Sequence, residues 1–221
     1  MIGNFPERSA YLVALVLSSY LWFTVAAWAG PQLYKLDPDK SRLYVQVFKD
    51  TSTLAAGLAH DHVVLATGWQ GQVFVDPQNL SVCEIKVTVP VSGLQPDSRE
   101  MRTLVGYKTM ISESRQETVG KHMRAKKQLD AKNFPEITFR SQSCSGTKKA
   151  LQVNGKLTIR GKDKLISVPL EVFQSGNTIR VKGTFTAQHS DFGFKPYSAF
   201  FGAVKNRQDI RFVINVVGTV R

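Results

Sequence analysis

The chain reads as a mostly β protein, an eight-stranded antiparallel barrel with a helical crossover between its third and fourth strands. Three observations predict this. From Phe134 to Val172 the in/out rhythm is strict: Ile137, Phe139, Leu151, Val153, Leu157 and Ile159 are apolar, and Thr138, Arg140, Gln152, Lys156, Thr158 and Arg160 between them are polar, the period of half-buried strands. The same rhythm marks eight segments, near 42–49, 63–76, 81–91, 136–144, 150–160, 166–174, 178–188 and 208–219. One long connection, Ser92 to Asn133, breaks it. A row of strands with an apolar inside and a charged outside needs its edges protected. Closing eight of them removes the edges and leaves an interior just filled or just able to hold one ligand.

At the start, residues 9–29 form an uncharged apolar run ending in Ala27-Trp28-Ala29. Small residues at those positions fit a signal peptide cleaved after Ala29, which would deliver residues 30–221 to the periplasm or beyond. The rival is an uncleaved inner-membrane anchor, since about 20 apolar residues span a bilayer. Residues 30–221 have one domain's length, with no linker, low-complexity tract or repeat. The net charge of +12 lies wholly in this part, because Glu7 and Arg8 cancel. Export argues against nucleic acid as its partner and for an anionic membrane surface or plain solubility.

The inward sets follow from parity. They are Leu43, Val45 and Val47; Trp69, Val73 and Val75; Ile85, Val87 and Val89; the six apolar residues named first; Val168, Leu170 and Val172; Ile179, Val181 and Phe185; and Ile210, Phe212 and Ile214. Inward Gly71, Gly155 and Gly183 ease coiling or leave room beside the lining. Cys83 and Cys144 sit in a compartment that allows pairing. Their parities oppose a bond, however: Cys83 goes with Ile85 and Val87, and Cys144 goes with Thr138 and Arg140, unless a bulge re-aims one of them.

In the long connection, Ser114 and Glu117 have capping-box spacing and predict a helix reaching about Leu129. Pro135 bars its continuation into the next strand. A second short helix is expected over Arg99 to Met110. A crossing of this kind would cover one end of a small barrel as a lid.

The order KHMRAKKQLDAKNFPEITFRS, GKLTIRG, VPLEV and HSDFGF resembles the YceI-like family of exported lipid-binding proteins, over nearly all of residues 34–221. The resemblance implies a lipocalin-like barrel whose lumen holds a long apolar chain: a polyisoprenoid, an isoprenoid quinone or a fatty-acid derivative. No cofactor is required. Gln128-Leu129-Asp130 stands where the family commonly has paired aromatics, and LAHDH, with His60 and His62, is an addition that many members lack. The expected ligand wall is Val45, Val47, Trp69, Val87, Ile137, Phe139, Leu157, Ile159, Leu170, Val181, Phe185, Ile210 and Phe212.

The loop after the seventh segment is rich in aromatics. Phe192 and Phe194 suit a buried corner, while Phe200 and Phe201 are expected to contact the ligand at the mouth; folded outward instead, the loop's aromatics would form a membrane-docking patch. His60, His62, His122 and His189 are expected to contact a head group, as by an imidazole donating to a quinone carbonyl. The alternative is a metal site of His60 and His62 with His122, although H-x-H alone is a weak motif. No nucleophile elbow, phosphate loop or metalloprotease motif is present, and the Asp residues fall at turns and caps, so a non-enzymatic protein is expected. Partners are then the lipid, an anionic membrane surface and, as an open alternative, a second copy in a homodimer.

Overall fold

The computed structural model describes residues 30–221; the signal peptide or anchor expected over 1–29 lies outside them. Among the described residues no helix is long and apolar enough to cross a membrane. The strands are β1 (Gln32–Lys49), β2 (His62–Ala66), β3 (Gln70–Val75), β4 (Cys83–Pro90), β5 (Leu94–Pro96), β6 (Glu136–Thr147), β7 (Ala150–Ile159), β8 (Lys162–Ser175), β9 (Thr178–Gln188), β10 (Ser198–Ala199) and β11 (Val204–Val220). Eight of them close an antiparallel barrel in the order β1-β3-β4-β6-β7-β8-β9-β11, and β11 pairs back onto β1 from Tyr34↔Val220 to Lys49↔Asn206.

Strand β1 is longer than the 42–49 expected. Its first part, Gln32 to Lys35, pairs with β3, and its second, Tyr44 to Val47, pairs with β2, which in turn carries β5. The Asp37-Pro38-Asp39-Lys40 run looks like a turn in the sequence. Here it is a register shift between Asp37 and Arg42 within one strand, since β11 holds both halves from the other side.

The segment near 63–76 is two strands, not one. Gly68, at φ 63°, breaks it in the left-handed conformation that suits glycine. The helices α1 (Arg99–Leu104) and α2 (Glu113–Arg124) follow β4 and β5 within the Ser92–Asn133 connection; counted along the chain they fall between the fifth and sixth strands, not between the third and fourth, because the second expected segment is divided and β5 is added. Helix α1 stops before Gly106, at φ 78°, well short of Met110. Its N-cap is Ser98, whose hydroxyl accepts from the Met101 amide at 3.3 Å. Helix α2 starts from Ser112, ahead of the Ser114 capping box. It ends at Arg124, before Leu129, because the chain reverses there: the Leu129 amide bonds Met123 O, and Asp130 has φ 49°.

The cysteines pair. Cys83 and Cys144 form a disulfide with Cα atoms 6.1 Å apart, against the simple parity count. Strand β6 has a register shift between Ser141 and Ser143, and that extra residue turns Cys144 onto the inward face.

Candidate functional site

The barrel is hollow. A cavity of about 340 Å³ runs along its interior, within the range of small-molecule sites. All thirteen residues of the expected wall line it, from Val45 on β1 to Phe212 on β11, with Trp69 just ahead of β3. The inward glycines leave no spare room. A Cβ on Gly155 would lie 2.5 Å from Phe139 Cζ, one on Gly183 2.5 Å from Leu170 Cδ2, and one on Gly71 2.8 Å from Leu36 Cδ1. Each absent side chain is replaced by a neighbour that leans across it.

The two ends of the cavity differ because the loops are unequal. At one end the connections are the short turns after β3, β6 and β8, and a polar chain closes it. There Lys148 Nζ donates to Gln174 Oε1 at 3.0 Å, Gln174 Nε2 donates to the Tyr34 hydroxyl at 2.9 Å, and that hydroxyl donates to Gln32 Oε1. Tyr34 is fully buried, and burial raises its pKa against the opposing hydrogen bond from Gln174. The other end carries residues 50–61, both helices and residues 189–203, and these surround the mouth. Val119, His122 and Met123 of α2 line it, as do Gln128, Leu129, Phe194 and Tyr197.

His62 provides the most structured polar feature at the mouth. It shares a face with Val64 and Ala66, opposite Val47 of β1, and it lines the cavity. Its Nδ1 lies 2.6 Å from Asp97 Oδ2. Asp97 also accepts from Arg102 Nη1 at 2.6 Å and from the Val63 amide at 3.2 Å. Burial pushes the Asp97 carboxyl up, but the His62 hydrogen bond and charge, the Val63 amide and Arg102 outweigh it and hold its pKa below the usual carboxylate value. An ionised carboxylate only accepts, so His62 Nδ1 carries the proton. Arg102, almost wholly buried, also donates to Thr109 O and Asp61 O. It stacks on the Tyr107 ring, whose hydroxyl accepts from Gln46. Sequence reasoning assigned Asp97 to a turn and passed over Arg102. No spacing rule links positions 62, 97 and 102, which only the β2–β5 pairing brings together.

The other histidines go separate ways. His122 stacks on Tyr197 with ring centroids 5.0 Å apart. His189 is buried, its Nδ1 2.8 Å from Gln208 O and its ring edge-on to Phe194; burial lowers its pKa. His60 does not line the cavity, and burial together with nearby cationic groups lowers its pKa. The metal set of His60, His62 and His122 is not assembled: among the described residues no group of three or more His, Cys, Asp or Glu side chains could hold a metal ion. The reason is that His62 is turned inward onto Asp97 while His122 is committed to Tyr197. Phe192 and Phe194 are buried in a cluster with Leu157, Ile159 and Ala187 that caps the barrel. Phe200 and Phe201 lie outside the cavity and face solvent.

The fold agrees with comparison to known proteins. A family model described as YceI-like domain matches residues 34–216. The chain belongs to the YceI-like family. Among solved structures, Burkholderia cenocepacia BcnA superposes with a TM-score of 0.63 at 20% identity, covering 83% of this chain and 99% of that one. The YceI protein of Campylobacter jejuni superposes with a TM-score of 0.54 at 17% identity, covering 72% of this chain and 84% of that one. At these identities the likeness is one of fold. No curated protein matches the chain. The YceI-like barrel thus supplies the frame, and the His62–Asp97–Arg102 cluster is described from this chain's own residues.

Proposed function

We propose that this protein binds one long apolar chain, an isoprenoid lipid or quinone, inside its barrel and carries it without chemical change. Delivery by residues 1–29 to the periplasm belongs to the same reading. The observation that carries it is the continuous apolar lining of the lumen, contributed by all eight barrel strands. Sealing ten methylene-sized units from water is worth about 8 kcal/mol gross at about 0.8 each. Association and ordering costs reduce that but leave micromolar binding within reach of shape and apolarity alone. The tail enters the lumen, and the polar end rests at the mouth beside His62. With Nδ1–H committed to Asp97, the neutral ring accepts a hydroxyl proton at Nε2, and the protonated ring donates to a carbonyl.

The test is extraction of the purified protein into organic solvent followed by mass spectrometry, together with titration by the fluorescent fatty acid cis-parinaric acid. A stoichiometric long-chain lipid, and parinaric acid uptake that V153W abolishes without loss of the β-sheet circular dichroism, are expected. A protein that is lipid-free as purified and takes up no parinaric acid would overturn the reading.

A further inference from the structure

The mouth is flanked by two loops that expose large apolar side chains to water. Leu54 and Leu58 on residues 50–61 are 101% and 71% exposed, and Phe200 and Phe201 on residues 189–203 are 74% and 114% exposed. The two loops are tied together, since the Ala55 amide donates to Ala203 O at 3.0 Å and the Asp50 amide to Lys205 O at 2.8 Å. The four side chains therefore project from one joined tip and not from two independent loops. Phe200 and Phe201 have φ of 49° and 55°, a region that L side chains with a bulky Cβ substituent rarely adopt. The backbone there aims both rings away from the cavity that lies a few residues off.

Charge on the same end complements an anionic surface. Lys121, Lys126 and Lys127 at and beyond the end of α2, and Lys195 in the aromatic loop, are exposed, and Lys205 lies directly across from Ser198. Among the described residues none of these five is in an ion pair. Of the carboxylates at this end, Asp50 accepts from Ser52, Asp61 from the Lys49 amide, Asp191 from Lys164 and Asp209 from Arg207, while Glu113 and Glu117 of α2 are exposed. Free ammonium groups beside an apolar tip match the layered chemistry of a bilayer, anionic outside and hydrocarbon within.

We propose that the mouth end docks on an anionic lipid surface, with Phe200, Phe201, Leu54 and Leu58 entering the interface and the lysines facing the headgroups. Docked this way, the cavity opens toward the bilayer and a guest passes between the two without crossing open water. The inference goes beyond lipid carriage, because a barrel loaded from solution or from a protein partner needs no such tip.

The experiment uses the full chain as purified, with vesicles of phosphatidylcholine alone or mixed with phosphatidylglycerol. In F201W the added tryptophan reports on the tip itself, so attachment through residues 1–29 cannot imitate the result. A blue shift of the added emission and its quenching by brominated lipid are expected with the mixed vesicles, both weakened by high salt. F200S/F201S is expected to lose about tenfold or more in vesicle partition while keeping the native melting profile, since both side chains are exposed. An F201W emission that stays solvent-like with mixed vesicles would overturn the proposal. So would F200S/F201S partitioning like the native chain, or a dimer formed without vesicles that F200S/F201S dissolves, which would mark the tip as an interface between copies.

Discussion

Replacing Asp97 by Ala removes the acceptor that holds the mouth together. Three donors converge on this carboxylate: Arg102 Nη1 at 2.6 Å, His62 Nδ1 at 2.6 Å and the Val63 amide at 3.2 Å. Neither Asp97 nor Arg102 reaches solvent, at 0% and 2% exposure. D97A therefore strands a buried guanidinium, and removing one partner of a buried pair costs about 3–5 kcal/mol. For a domain of this size each kcal/mol moves the melting temperature by about 2–4 °C, so a drop of about 10 °C is expected. Thermal melts followed by circular dichroism measure it. D97A/R102M, which removes the stranded charge as well, should lose less than D97A alone. The pH dependence has a definite sign. Because the folded-state pKa of Asp97 is depressed below 3.8, its contribution is present above that value and is lost as the pH falls through the folded pKa. D97A should therefore have a flatter stability profile at the acid extreme. A D97A melt within about 2 °C of the native one would refute the reasoning.

Three other perturbations probe the barrel. G155A places a Cβ 2.5 Å from Phe139 Cζ and 2.6 Å from Arg140 O; the backbone oxygen cannot retreat, so a loss of about 2–3 kcal/mol in urea unfolding is expected, and a neutral result would show that β6 and β7 can part at no cost. Reducing Cys83–Cys144, which are 61 residues apart in sequence, should cost about 4 kcal/mol on the loop-closure account; an unchanged urea midpoint with and without dithiothreitol would contradict it. Burial lowers the pKa of His189 from 6.5, so folding favours the neutral ring, and stability present above that pH declines as the pH falls below it. H189N should flatten the decline that sets in as the pH falls below about 6.5; identical slopes for both proteins would assign it to another group.

Much of the barrel wall was legible because strand parity is a local signal. Val45, Ile137, Leu157, Val181 and Ile210 could each be assigned inward from two or three neighbours, and the lumen is their sum. Legibility failed where a single residue changes the count. The shift at Ser141/Ser143 inverts the parity of Cys144 and permits the disulfide, and the shift after Asp37 carries β1 through what looks like a turn. Long-range polar contacts were also out of reach. Gln174 finds the Tyr34 hydroxyl across 140 positions, and nothing local to either residue reports on the other. The aromatic loop was half legible: its richness in rings was plain, but the split between buried Phe192 and exposed Phe201 is set by backbone dihedrals at positions 200–202.

The seam between β1 and β11 joins the two extremes of the described chain, with Tyr34 opposite Val220. Until β11 has been synthesised and has zipped against both β1 and β9, the other seven staves form an open, curled sheet with nothing enclosed. Such late, distant pairing slows folding. It also fixes an order of events: an enclosed lumen exists only once the eighth stave has joined both of its neighbours.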